Sequence, residues 1–154
     1  MFRAVGLPLS SFEPLFALGN EDLTARGMQR MIADAKPGFP CRVTLEDAEP
    51  GECVLLLPFE HQPAGSPYRA SGPIFVRESA RAPFDEVDVV PPVLRGRLLS
   101  FRGYDEADCI VEADVVSGDD AEEAIAKFFA RDDVRYLHVH NAKRGCFACK
   151  IERA

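Results

Sequence analysis

Nowhere in its 154 residues does the chain hold an apolar run of the roughly 18 residues that a membrane-spanning helix needs. It also lacks a basic surplus: 18 Lys and Arg stand against 25 Asp and Glu, a net charge of −7. Affinity for nucleic acid comes largely from neutralising phosphates, so we expect no nucleic-acid partner. Residues 105–123 contain no Lys or Arg while holding Asp105, Glu106, Asp108, Glu112, Asp114, Asp119, Asp120, Glu122 and Glu123. That stretch reads as a solvated face that keeps the protein soluble. Residues 1–8 show no charged head, apolar run and small-residue cleavage site in succession, and so do not read as an export signal. Five cysteines is an odd number, which points to reduced thiols rather than a disulfide framework. The expectation is a cytoplasmic protein.

Motifs that would fix a reaction are missing too. There is no serine-centred hydrolase elbow, no Gly-rich phosphate loop and no dinucleotide fingerprint, and no cofactor is predicted from such a motif. No repeat, low-complexity tract or Pro/Gly-massed linker divides the chain, so residues 1–154 read as a single domain. A domain of this length buries roughly 70% of the surface its unfolded chain exposes, enough for one sizeable core.

Several elements are legible. Residues 2–7 suit a short strand. Ser10 or Ser11 would cap a helical turn carrying Phe12, Leu15, Phe16 and Leu18, which Pro14 confines to its first turn. Asn20 is a second candidate cap, and residues 28–33 are left open between helix and strand. Residues 41–45 alternate and residues 53–57 are continuously apolar; with Pro50 and Gly51 at a type II turn between them, they read as a β-hairpin whose second strand is buried on both faces. Pro58 would end or bulge that strand. Residues 72–78 give another strand, with Ile74 and Val76 on one face. Residues 94–104 and 109–116 pair around the turn at 104–108.

Residues 118–131 form the clearest helix. Asp119 or Asp120 would cap it, Glu122 and Glu123 suit its first turn, and Ala121, Ile125, Phe128 and Phe129 supply an apolar stripe that must pack on a sheet. Strands joined mostly by hairpins make the class α+β, with a largely antiparallel sheet, this helix and one or two short N-terminal helices.

Site chemistry concentrates at the C-terminus. Residues 134–141 alternate, with Leu137 and Val139 on one face and Tyr136, His138 and His140 on the other. The loop Lys143, Arg144, Gly145 suits a three-residue turn with Gly145 left-handed. In that register Val139 opposes Cys149, Leu137 opposes Ile151, His138 opposes Lys150 and His140 opposes Ala148. A two- or four-residue loop would mix the faces. The apolar face should lie under the 118–131 helix, which turns His138 and His140 toward the other side of the sheet. There they form either a partly exposed strand face without chemistry, or part of a cleft as general acid–base groups or donors to an anion.

Zinc is the alternative use of this hairpin, since His138, His140, Cys146 and Cys149 are four ligands of suitable type. Residues three apart on a strand point to opposite faces, however, so Cys146 and Cys149 would meet one metal only if the strand broke into a knuckle. A redox pair is weaker still, because no helix follows to lower a thiol pKa.

Residues 60–71 form a second candidate region, a loop long enough to be functional. His61, Tyr68, Arg69 and Ser71 would bind a carboxylate or phosphate there, with Arg69 as a planar fork and the Ser71 hydroxyl as a donor. The plainer alternative pairs Arg69 with a surface acid.

Three phrases, Cys-Arg-Val-Thr-Leu-Glu-Asp-Ala-Glu-Pro-Gly-Glu (41–52), His-Gln-Pro-Ala-Gly-Ser-Pro-Tyr-Arg-Ala-Ser-Gly-Pro-Ile-Phe-Val-Arg-Glu (61–78) and His-Val-His-Asn-Ala-Lys-Arg-Gly-Cys-Phe-Ala-Cys (138–149), resemble a bacterial family known as domain of unknown function 1203. The resemblance covers essentially the whole chain. It implies a bacterial single-domain protein, and it implies no activity and no site residues.

The residues thus give three readings. In the first, a polar cleft between residues 61–71 and the C-terminal hairpin binds a small anionic molecule, with His138, His140 or His61 as acid or base and Arg69 orienting the anion. In the second, the same cleft serves a non-catalytic interaction or ligand-sensing domain. In the third, zinc is structural. No membrane partner is expected, and the sequence does not fix the oligomeric state.

Overall fold

A computed structural model describes residues 1–154. Nine strands form two antiparallel sheets: β1 (Phe2–Val5), β2 (Gln29–Ile32), β3 (Cys53–Gln62), β4 (Ala70–Arg77), β5 (Asp85–Val87), β6 (Leu98–Tyr104), β7 (Ile110–Ser117), β8 (Tyr136–Asn141) and β9 (Phe147–Arg153). The large sheet has the order β5-β1-β9-β8-β6-β7 and the small one β2-β3-β4. Three helices accompany them: α1 (Glu13–Phe16), α2 (Asn20–Ala25) and α3 (Ala121–Phe129). Strand content of 39% against 18% helix makes the class α+β.

The large sheet is apolar on one face only. Leu99, Phe101, Leu137, Val139, Cys149 and Ile151 gather there with Ala121, Ala124, Ile125 and Phe128 of α3 in one core. The period-2 alternation of β8 meets the 3.6-residue stripe of the helix at this face, as the sequence predicts. Asp120 holds the N-cap position of α3, as expected, but makes no side-chain cap bond; Ser117 Oγ instead accepts the Asp119 N–H at the 3-10 turn that leads in. A second core lies over the small sheet, where Leu55, Leu57, Ile74 and Val76 pack with Leu9 of the 3-10 turn at residues 9–11, Phe12 at the start of α1 and Leu23 of α2. Neither Ser10, Ser11 nor Asn20 caps those helices; Phe12 and Gly19 hold the cap positions, and Asn20 Oδ1 instead accepts from Arg30.

Residues 41–45 are not a strand. They form a buried turn, and the partners of β3 are β2 and β4. The alternation misleads because Cys41 and Val43 enter the small-sheet core while Leu45 enters the large-sheet core, so the apolar residues serve two cores and not one sheet face. Four outside segments bond to this turn: Leu7 N–H donates to Arg42 O, Phe84 N–H to Val43 O, Val93 N–H to Leu45 O, and Arg42 N–H donates to Phe75 O.

Pro58 does not end β3, which continues to Gln62 with an irregularity only after Phe59. Pro58 lies opposite Pro73, and β2 has already stopped opposite Leu56, so no ladder hydrogen bond needs either missing N–H. This extension shortens the 60–71 loop to residues 63–69. Residues 28–33 resolve as a strand, β5 is an additional short edge strand, and residues 92–94 form a 3-10 turn before β6 begins.

Gly6 marks the closest approach of β1 to the buried turn, where a Cβ would lie 1.9 Å from Val43 O. Backbone cannot yield as a flexible side chain can. Gly6→Ala should therefore destabilise the protein by about 3 kcal/mol or more, measured by urea denaturation; a change within about 0.5 kcal/mol would mean that β1 and the turn separate easily.

Candidate functional site

Strand pairing dictates what the other face of the large sheet carries. Ser100, Arg102 and Tyr104 of β6 lie opposite His140, His138 and Tyr136 of β8, and Lys150 of β9 lies opposite His138. Gly145 is left-handed at φ 79°, as the three-residue turn requires, and the predicted pairs Val139–Cys149, Leu137–Ile151 and His138–Lys150 form. His140 pairs with Phe147 and not Ala148, because the register shifts between Val139 and His140. The shift brings the Phe147 ring among the imidazoles.

Strand β3 crosses this polar face. Its His61 ring stacks on Phe147 at 5.2 Å and meets His140 edge-on at 5.0 Å, with His138 at 6.2 Å. The three histidines therefore converge, and the two on β8 are 3% and 1% exposed. His140 Nδ1 pairs with the Gly145 carbonyl at 2.9 Å, so it carries the proton and leaves Nε2 to accept from Arg102 Nη1 at 3.4 Å. Nδ1 of His61 and Nδ1 of His138 are buried without a partner.

Burial pushes His138 down to about 3 and His140 to about 4, with the Arg102 charge adding to both shifts. His61 is also lowered, first by burial and then by Arg102. All three rings are thus neutral at neutral pH. One residue beyond His61, Gln62 Nε2 donates to Tyr136 Oη at 2.8 Å, and that hydroxyl donates to Asp108 at 2.6 Å. Burial and this hydrogen bond raise the Tyr136 pKa. Ser66 Oγ donates to Asp108 O, which ties the 63–69 loop to the β6–β7 turn.

A groove of about 740 Å³ lies at the other end of β3, between the small sheet and the β8–β9 turn. Leu98 lines it and shares a face of β6 with Ser100 and Arg102, so its floor runs on toward the histidines. Arg42, Arg97, Lys143 and Arg144 line it, and no Asp or Glu does. Arg97 is neutralised by Asp47 at 2.7 Å. Arg42 is not neutralised: 2% exposed, it donates Nε to Phe147 O at 2.7 Å and Nη1 to Pro40 O, while Nη2 has no protein partner. Burial lowers its pKa to about 10, which still leaves it charged at neutral pH. The sequence places Lys143 and Arg144 in the hairpin turn but does not single out Arg42 or Arg102, since nothing in a sequence says which arginine lacks an acid.

In the 60–71 region Arg69 pairs with a surface acid, the plainer of the two expected arrangements. Arg69 is 61% exposed and holds Glu60 through two hydrogen bonds of 3.0 Å; Tyr68 is 42% exposed and stands edge-on to Tyr104 at 6.3 Å; Ser71 is exposed with no side-chain partner. Of that set only His61 reaches the hairpin histidines. The four zinc candidates do not converge either. Cys149 is buried in the core beneath α3, on the face opposite His138 and His140, while Cys146 lines the groove. No group of three or more His, Cys, Asp or Glu side chains is placed to hold a metal ion.

A family model described as a protein of unknown function (DUF1203) matches residues 38–153. No curated protein and no solved structure matches the chain. No helix is long and apolar enough to cross a membrane.

The neutral histidines predict a particular acid response. In the unfolded chain each takes up a proton as pH falls through 6.5, whereas folded His138 and His140 resist until about 3 and 4. The unfolded state then binds more protons, so stability falls with pH below 6.5, by up to about 1.4 kcal/mol per unit and per histidine. Between pH 6.5 and 5 the carboxylates contribute little. Urea denaturation across that window should show this slope, and His138→Gln should reduce it; an unchanged slope would place the titration elsewhere.

Proposed function

This chain belongs to the DUF1203 family of proteins of unknown function, and we propose that it binds a small anionic molecule in the cleft between its two sheets. The observation that carries this reading is Arg42, a charged guanidinium enclosed without a carboxylate whose Nη2 is left over in a groove free of acidic residues. Two of its nitrogens are held by backbone carbonyls while Nη2 opens to the groove, so the guanidinium is placed to take an anion from outside the chain. Lys143 and Arg144 at the rim, both exposed and without a carboxylate, add to the same field. In a chain of net charge −7 this is a local reversal of sign.

The histidines supply neutral hydrogen-bonding groups beside that site. A general base works best with a pKa near the operating pH, and values of about 3 and 4 leave His138 and His140 poor bases. Binding without catalysis, as in a ligand-sensing domain, is therefore the better-supported use of the cleft. Arg69 has no part in it, since Glu60 already satisfies its fork.

Isothermal titration with sodium hexanoate and with inorganic phosphate tests the reading. At least one should bind the wild type. The double variant Lys143→Glu with Arg144→Glu should weaken binding roughly tenfold or more, because two attractive charges become repulsive, and Arg69→Ala should leave it unchanged. Binding that ignores the double reversal, or that is lost in Arg69→Ala, would reject the groove as the anion site.

A further inference from the structure

Building on the anion-binding reading above, we propose that the ligand is an amphipathic monocarboxylate: one carboxylate set against Arg42, and an apolar body laid along Met31, Phe39, Leu56, Phe75 and Leu98. The groove is two-sided. Its basic residues come from the buried turn, the entry to β6 and the β8–β9 loop, and its apolar ones mainly from the small sheet, including Leu56 and Phe75, which are paired across β3 and β4. Phe39 tilts against Phe75 at 5.2 Å to complete an aromatic wall. None of these five side chains is fully buried, and Leu98 is 49% exposed, so the protein itself leaves the wall uncovered. A volume of about 740 Å³ lies within the range of small-molecule sites of roughly 300–1,000 Å³ and far exceeds what a bare inorganic anion fills.

Charge counting selects the head group. Arg97 is bound to Asp47, and Lys143 and Arg144 are exposed, so among the groove-lining cations Arg42 alone is buried without a carboxylate. One buried positive charge balances one negative charge. A phosphate dianion would bring a second charge into the same enclosure with only solvated rim residues to meet it. A carboxylate matches the charge, and its oxygens accept from the free Nη2. The apolar body then removes exposed hydrocarbon on both sides of the contact from water.

The test is isothermal titration of the full chain with acetate, butanoate, hexanoate and octanoate at one ionic strength, with inorganic phosphate as the arm lacking an apolar body. Affinity should rise about threefold to fourfold for each added methylene until the wall is covered, and phosphate should bind at least roughly tenfold more weakly than hexanoate. Leu98→Asn, a neutral polar change in the half-exposed wall, should flatten the length dependence; Lys143→Glu with Arg144→Glu should lower all carboxylates alike. Equal affinity along the series, or phosphate binding as tightly as hexanoate, would overturn the monocarboxylate while leaving anion binding in place. Failure of every anion to bind would overturn both.

Discussion

The structure depends on how the turn at residues 41–47 is held between two sheets. Cys41 and Val43 fill one core and Leu45 the other, so a single short segment couples two hydrophobic clusters that otherwise have separate walls. Leu45 adopts φ 51°, a left-handed conformation that costs a β-carbon-bearing residue about 1–2 kcal/mol. It persists because the side chain is completely buried and its carbonyl accepts from Val93. Between those anchors Arg42 has nowhere to go but inward. Its guanidinium bonds the Phe147 carbonyl at the start of β9, and thereby links the turn to the hairpin that carries the histidines.

Placement of the polar face follows from this. With α3 covering one side of the large sheet, the residues that alternate to the other side must be either solvated or covered by β3. They are covered where His61 stacks on Phe147 and where Gln62 bonds Tyr136, and left open in the groove beyond Leu98. Aromatic faces and backbone carbonyls take the place of water around the imidazoles, which favours their neutral form. Two buried Nδ1 atoms remain unpaired, a cost of about 1–3 kcal/mol each that an ordinary core would avoid. Such a cost is tolerated more often at a site with a use than in plain packing.

Legibility in the sequence divided along the range of the forces involved. The C-terminal hairpin was readable because its turn residue, Gly145, and the apolar alternation of Leu137 and Val139 both act locally and agree. Helix α3 was readable for the same reason, with Asp120 at its N-cap position, although the capping side-chain hydrogen bond came from Ser117 one turn earlier. The turn at 41–45 was not readable, because alternation records only that every second residue is buried and says nothing about whether one core or two receives them. The choice between Arg69 and Arg42 was equally hidden. Glu60 reaches Arg69 across a hairpin whose register departs from regularity after Phe59, while Arg42 is shielded by β9, more than a hundred residues on. The bulge that puts Phe147 opposite His140 also had no sequence signal that we can identify.

Charge distribution sets what such a cleft can select. At physiological salt the screening length is about 8 Å, so charges beyond that distance act little in the groove, while Lys143 and Arg144 act directly at its rim. Long-range attraction of anions is therefore weak in a chain of net charge −7, and discrimination rests on contact. Within the groove, lower polarisability than water strengthens the pull of Arg42 on one negative charge and makes a second more expensive to bring in. A neutral molecule would leave the guanidinium as it stands, half satisfied by two carbonyls. A monoanion with an apolar body would satisfy it and cover the exposed wall at once, since the hydrogen bond from Arg42 N–H to Phe75 O keeps the guanidinium-bearing turn beside that wall.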